Sequence, residues 1–362
     1  MAGTTHTWKR GELTPQEYFT FRDSAWHPVV EAQGSAVLPG RETPPSSFQF
    51  SVLSWNVDFM APEGDARMSA ALKHLGSLVA GNPNPSVIML NEMTPPDLEL
   101  IKLADWVREG YDITDATADH WESPTYGTCM LVPRALPIRR VARLHYAATT
   151  MQRDALFADV ALARGGTLRL CATHLESLRA VPPLRPAQLA AAAAHLRQPQ
   201  PSGGSGGGVV GVLAGDLNAI EPFDRTLHDQ CGLKDAYLES GGLEGEERGM
   251  TWGHMAPRWL RERFGLGRLD KVLFWDGGDA SGGDGGGGGG GDGGDGGDDV
   301  GGRLFLRLVG FETFGMDVVV EDEAAAARLM KEWELEKAWV TDHLGVRADF
   351  RVEESVSVKT HI

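Results

Sequence analysis

Val209-Val-Gly-Val-Leu-Ala-Gly-Asp-Leu-Asn218 is the stretch on which the reading of this chain turns. Val209 to Ala214 is a short apolar run, too short for a helix and suited to a buried strand. It stops abruptly on Gly215-Asp216-Leu217-Asn218. Asp and Asn favour turns, so the plain reading is a strand followed by a turn. The same transition recurs along the chain, however. Phe48 to Val57 (FQFSVLSWNV) reads as a buried strand and carries Ser54-Trp55-Asn56-Val57-Asp58 at its end. Ser86 to Leu90 runs into Asn91-Glu92, and Thr167 to Thr173 runs into His174-Leu175-Glu176-Ser177. Arg268-Leu269-Asp270-Lys271 opens one late strand, and Thr341-Asp342-His343 precedes another. In α/β folds, polar groups at the ends of apolar strands mark where sites form.

The remaining pattern is of strands with helices between them. Gly64 to Ala80 has Met68, Leu72, Leu75 and Val79 at helical spacing and stops at Gly81. A second helix is expected from Pro95 and Pro96 through Trp106, and a third from Pro186 to about Arg197. Further strands are expected at Thr128–Val132, Ile138–Tyr146, Ala155–Leu162, Arg303–Phe311 and Leu344–Val352. Residues 1–46 lack clear periodicity and read as an irregular lead-in, and 353–362 as a C-terminal tail. The domain itself spans 47–352. It is interrupted at about 276–302 by a Gly/Asp tract that cannot bury a core, expected as a disordered surface insertion. A Ca²⁺-binding glycine–aspartate repeat would need regular spacing and an apolar position that the tract lacks. Pro201 to Gly208 reads as a flexible loop.

The 362 residues are 42% hydrophobic, enough for one large α/β domain. No apolar run approaches the length of a membrane span, and no apolar stretch follows the first basic pair as in a secretory signal. Three cysteines, two of them inside apolar runs, suit a reducing intracellular compartment. The net charge of −16 argues against coating nucleic acid by bulk attraction. Part of that charge lies in the Gly/Asp tract, and part in carboxylates that a metal would neutralise.

Chemically the strand-end residues form one set. Asp58, Glu92, Asp216 and Asp342 offer hard oxygen ligands, and Asn56 and Asn218 offer amide oxygens and N–H donors. Such groups suit Mg²⁺ and not Zn²⁺, with Mn²⁺ able to substitute. His174 and His343 can donate to phosphate oxygens as charge builds on them. No serine elbow, Walker loop or paired CxxC competes as an explanation. The order Trp-Asn, Glu, Thr-His-Leu, Gly-Asp-x-Asn, Leu-Asp, Asp-His resembles the endonuclease/exonuclease/phosphatase superfamily over residues 48 to 352. The resemblance implies two packed mixed β-sheets flanked by helices, a four-layer DNase I-like sandwich with the site at one edge. It also implies a metal-dependent phosphodiesterase.

Finer features are similar to the tyrosyl-DNA phosphodiesterase 2 branch. These are Phe50 to Asp58, the run from His174 to Ser177 with Arg179 beyond it, Thr251-Trp252, and the stretch around Arg153. The resemblance implies Asp216 as general base, positioned with Asn218, and Asn56 orienting the same shell. It implies Glu92, Asp58 and Asp342 as the metal side, and His343 oriented by Asp270. His174 would contact phosphate, Trp252 and Leu269 would flank the path of DNA, and Arg153 and Arg179 would meet phosphates. The implied partner is a DNA end carrying a 5′-phosphotyrosyl adduct, repaired by a monomer in the nucleus or in nucleus and cytoplasm. Ile220 stands where that branch carries Arg, and Gly253 where it carries Asp. These departures favour, as the rival, another phosphoesterase of the superfamily, a nuclease or an inositol- or sugar-phosphate phosphatase. A binding module that kept the fold is the rival from another class.

Overall fold

The computed structural model describes residues 8–30, 37–199, 208–278 and 303–355. The expected Gly/Asp insertion and the Ser/Gly loop fall almost entirely outside the described residues. No helix among the described residues is long and apolar enough to cross a membrane.

Fifteen strands are described: β1 (Leu13–Gln16), β2 (Tyr18–Arg22), β3 (Ala25–Val29), β4 (Ser47–Asn56), β5 (Ser86–Met93), β6 (Tyr111–Ile113), β7 (Gly127–Pro133) and β8 (Ile138–His145), then β9 (Asp154–Ala161), β10 (Thr167–Thr173), β11 (Val209–Asp216), β12 (Lys234–Asp235), β13 (Asp270–Trp275), β14 (Arg303–Phe314) and β15 (Gly345–Ser355). They form a seven-stranded sheet in the order β1-β8-β9-β10-β11-β13-β12 and an eight-stranded sheet in the order β14-β15-β4-β5-β7-β6-β2-β3. Both sheets are mixed. β10 runs parallel to β11, β4 runs parallel to β5, and the other pairs are antiparallel.

Period-two alternation builds the layers. On β4, Phe50 and Val52 enter the core between the sheets, and Leu53 and Trp55 face outward. The outward residues meet Met68, Ala71, Leu72 and Leu75 of helix α1 (Gly64–Ala80). On β10 and β11, Leu168, Leu170, Val210 and Val212 face inward, while Cys171 and Leu213 pack outward under Leu189, Ala192 and Leu196. The expected four-layer α/β sandwich is the architecture observed.

Three local readings are corrected. The single helix expected from Pro95 to Trp106 is two, α2 (Pro95–Leu103) and α3 (Asp105–Gly110), because Ala104 is extended between them with φ −66° and ψ 119°. Helix α2 starts as its sequence directs, with prolines in the first turn and a Thr94–Asp97 capping box. The lead-in expected to be irregular contains β1, β2 and β3. These strands have only four or five residues, and Pro15 and Pro28 interrupt their pattern. Both prolines lie on outermost strands of their sheets, where a missing N–H is tolerated. At the other end, β15 continues to Ser355, so the expected tail begins as strand.

Candidate active site

Each inner column of core residues ends in a polar side chain at the same edge of the sandwich. Phe50 and Val52 lead to Asn56 on β4, and Val87 and Met89 lead to Asn91 on β5. Leu168, Leu170 and Ala172 lead to His174, and Val210, Val212 and Ala214 lead to Asp216. On β13, Asp270 precedes Val272 and Phe274 in the same register. The strand alternation that fills the core thus aims these groups into the space between the sheets. Asn56 Nδ2 crosses that space to Asp216 Oδ2 at 3.0 Å, and the Asp216 N–H donates to Asn91 Oδ1 at 3.0 Å.

Gly215 makes this approach possible. A Cβ there would lie 1.7 Å from the Thr173 carbonyl oxygen and 3.1 Å from Asn91 Oδ1, and its φ is +152°. Asp58, Glu92 and Asn218 sit just beyond or at the bulged end of their strands with φ of 53°, 60° and 48°. Left-handed backbone at such residues costs about 1–2 kcal/mol each and concentrates at functional sites. The turns are held by their own side chains. Asn56 Oδ1 accepts the Asp58 N–H at 3.0 Å, Asp58 Oδ1 accepts from Met60 N at 2.9 Å, and Asp216 Oδ1 accepts from Asn218 N at 2.9 Å.

Two histidines flank Asp216, and their surroundings shift them in opposite directions. His174 Nδ1 accepts a hydrogen bond from the Arg153 guanidinium, which leaves the ring proton on Nε2. That Nε2 lies 3.4 Å from Asp216 Oδ2 and 3.8 Å from Glu92 Oε1. Burial, then the charge of Arg153, lowers its pKa and favours neutral imidazole. His343 donates Nδ1–H to Asp270 Oδ2 at 2.8 Å. Its Nε2 lies 3.7 Å from Asp342 and 3.8 Å from Asp216. Burial alone would lower its pKa, but the charges of Asp270 and Asp342 outweigh that and raise it well above the ordinary value. Asp216 is held ionised. Burial pushes its carboxyl upward, and hydrogen bonding from His174 and the charge of His343 overcome it.

On the other side lie carboxylates that disfavour one another. Burial, opposed by His174 and reinforced by the charge of Asp58, raises Glu92. Burial and the charge of Asp58 push Asp342 up to about 6. Glu92, His174 and Asp216 bring ligand atoms within 4.8 Å of one another, as do Asp216, Asp270 and His343. Hard oxygens that repel one another in a buried cleft fit a divalent cation.

A family model described as the endonuclease/exonuclease/phosphatase family matches residues 53–343, from β4 to His343 itself. The chain belongs to that family. Members of the endonuclease/exonuclease/phosphatase family hydrolyse phosphoester bonds, and the paired sheets found here are their fold. No curated protein matches the chain by sequence. Among solved structures it is similar to D. rerio TDP2 complexed with single strand DNA product, at 17% identity and a TM-score of 0.55, covering 83% of this chain and 98% of that one. It is similar to truncated Caenorhabditis elegans TDP2 at 19% identity and TM-score 0.54, covering 84% and 97%. The human Nocturnin catalytic domain with bound sulfate anion follows at 15% identity and TM-score 0.52, covering 85% and 95%. At these identities the likeness is one of fold.

Within this endonuclease/exonuclease/phosphatase domain, the structure gathers Asn56, Asp58, Glu92, Arg153, His174, Asp216, Asn218, Asp270, Asp342 and His343 at one edge. Trp252 joins them through Nε1–H to Asp342 Oδ2 at 2.6 Å. Leu269 is buried, with its carbonyl accepting from Leu217 N at 2.9 Å, so it braces the turn after Asp216. Arg179 stands apart, its side chain 78% exposed and its nearest carboxylate that of Glu221 at 3.8 Å. Sequence reasoning gave no role to Asn91, Thr251 or Tyr126. Asn91 ties the sheets, donating to Thr173 O at 3.2 Å while accepting from Asp216 N. Thr251 Oγ1 accepts the Asp270 N–H at 3.0 Å and so fixes the start of β13. Tyr126 stacks on Phe59 at 4.4 Å and carries the Arg153 guanidinium 5.1 Å over its ring. Asn91 could have been found from its place in the inner column of β5. Tyr126 lies in a loop and leaves no periodic signal.

Proposed function

We propose that this chain is a Mg²⁺-dependent phosphodiesterase that acts on DNA ends, hydrolysing the bond between a tyrosine and a 5′-phosphate in DNA repair. The observation that carries the reading is the pair of histidines, one neutral and one charged, converging on ionised Asp216 beside the repelling carboxylates. Glu92, Asp58 and Asp342 would hold the metal, directly or through water, and a bound Mg²⁺ would neutralise phosphate charge and polarise the phosphoryl group. Asn56 and Asn218 fix Asp216, which orients the attacking water and takes its proton as the new P–O bond forms. The bond from phosphorus to the leaving oxygen breaks in line. His343 and His174 each present Nε2–H toward the oxygens that gain charge, one as imidazolium and one as neutral donor.

An aromatic and basic surface next to the site supports a nucleic-acid substrate. Phe264 lies edge-on to Trp252 at 6.3 Å, with Arg263 over its face at 5.0 Å. Trp259, Phe264 and Leu266 are all exposed. Exposed aromatics interleaved with arginines suit stacked single-stranded bases. The monomer would act in the nucleus, or in nucleus and cytoplasm, where such ends arise.

The test is incubation with Mg²⁺ and a short DNA bearing a 5′-phosphotyrosine, with Asp216→Asn and EDTA controls. Cleavage to a 5′-phosphate, lost in both controls, is expected. A second reading, hydrolysis of another phosphoester, rests on Ile220, which leaves an exposed apolar side chain two residues beyond Asn218. Faster turnover of inositol phosphates than of the tyrosyl adduct would select it.

A further inference from the structure

We infer that Glu176 is a positioning residue for the reaction: its carboxylate clasps the loop before β9 and, through Thr149, sets Arg153 against His174. The inference rests on the phosphodiesterase reading above. Glu176 is buried, two residues past His174 on the same extended segment. Four donors converge on it. Thr149 Oγ1 donates to Oε2 at 2.8 Å, Thr150 N donates to Oε1 at 2.8 Å, and Thr150 Oγ1 also donates to Oε1. Gln188 Nε2, from the helix Arg185–Arg197, donates to Oε2 at 3.2 Å.

The carboxylate uses the Thr149 proton, so the lone pairs of that hydroxyl are free to organise the loop. They accept from Met151 N at 3.2 Å and from Arg153 N at 3.0 Å. Between these two, Gln152 is left-handed with φ 58°, a conformation a loop keeps only when its neighbours fix it. Arg153 then reaches His174 Nδ1 and lies over Tyr126, whose hydroxyl returns to the Met151 carbonyl. Gln188 closes the far side, donating to Ala148 O at 3.0 Å and accepting the Glu176 N–H at 2.9 Å. The connection therefore runs from Glu176 through Thr149 and Arg153 to His174 and back along two residues of chain. Burial would raise the Glu176 pKa, and the threonine and glutamine donors outweigh it, which keeps the acceptor ionised.

Because all four partners donate, an amide at this position would face donors with a donor. Glu176→Gln should release the loop, and Thr149→Val should do so by deleting one hydroxyl without changing volume. Each is expected to lower kcat about tenfold to hundredfold on a 5′-phosphotyrosyl DNA with Mg²⁺, with KM within about threefold, as expected for a group displaced by a fraction of an ångström. Adding Glu176→Gln to Arg153→Ala should cause no further loss, because Glu176 acts through Arg153. Amide hydrogen exchange should rise over residues 148–153 in both single variants, well beyond any rise elsewhere in the core. Additive losses in the double variant, or unchanged exchange over 148–153, would overturn the inference. If Glu176→Gln fails to fold, Thr149→Val decides alone. If the wild-type protein cleaves no phosphodiester, the functional reading has failed and the exchange measurement still decides the clasp.

Discussion

Replacing Asp270 with Asn tests the charge assigned to His343. The carboxylate accepts from His343 Nδ1 at 2.8 Å, and its other oxygen is buried with no hydrogen-bond partner among the described residues. Two unit charges about 4 Å apart interact by about 4 kcal/mol at an effective dielectric of about 20. Asp342 and Asp216 still face Nε2, so part of the drive to protonate His343 survives the substitution. The expected loss of transition-state stabilisation is then about 2–3 kcal/mol, or about thirty- to 150-fold in kcat. The pH dependence gives the sign. The folded pKa of His343 is raised, so the stabilisation from its protonated form is full below the ordinary histidine value and is lost as pH rises through the folded one. Asp270→Asn lowers that folded value, and the alkaline limb of kcat should move toward acid. The assay is kcat against pH on a 5′-phosphotyrosyl oligonucleotide at saturating Mg²⁺. A kcat within about threefold of wild type with an unmoved alkaline limb would refute the reasoning.

Three further outcomes follow from the same geometry. Asp342 is raised to about 6, so its proton is bound more tightly in the folded state; that stability is present below the ordinary carboxylate value and lost as pH rises through about 6. Mg²⁺ binds the ionised form, so it should add about 2.7 kcal/mol at a hundredfold excess over Kd near pH 7.5 and much less at pH 5; equal thermal shifts at both would count against the acidic trio as ligands. Gly215→Ala forces a Cβ onto the Thr173 carbonyl oxygen and should cost at least about 3 kcal/mol in urea unfolding, whereas a cost below about 1 would show that β10 and β11 can separate freely. Phe264, exposed and edge-on to Trp252, offers the cleaner test: Phe264→Ala should raise KM for single-stranded DNA about tenfold and leave a small aryl phosphodiester nearly unaffected, and equal effects on both would remove Phe264 from the DNA path.

Much of the site was legible because strand alternation is a property of sequence. The apolar runs ending at Asn56, Glu92, His174 and Asp216 place those residues at one edge once the strands are parallel or antiparallel neighbours. What was not legible depends on partners distant in sequence. The strands Leu13–Gln16 and Ala25–Val29 are short, interrupted by proline, and defined by pairing with β8 and β2. Asn91 reads as an ordinary strand-end residue until Gly215, 124 positions later, brings the Thr173 carbonyl and the Asp216 N–H to its two amide atoms. Arg179, two residues after a motif and expected to meet a phosphate, lies on an exposed loop beside Glu221 at 3.8 Å, away from the strand ends that gather the other groups.

The two histidines show why residue type alone underdetermines chemistry. Both are buried at strand ends, and burial by itself would discharge both. Their difference lies in what meets Nδ1 and in the carboxylates that face Nε2. A guanidinium can only donate, so His174 must accept and carry its proton on Nε2 as a neutral ring. A carboxylate can only accept, so His343 donates there, and the adjoining negative charges keep a second proton on Nε2. In the proposed reaction, one ring would meet a phosphate oxygen without adding charge, while the other would supply positive charge where the leaving or non-bridging oxygen becomes most negative. Arg153 and Asp270 decide this from behind the rings, and each is held in turn by a threonine hydroxyl accepting its backbone N–H, Thr149 for one and Thr251 for the other. In the proposed reaction the charge asymmetry is therefore set by Arg153, just before β9, and by Asp270, at the start of β13.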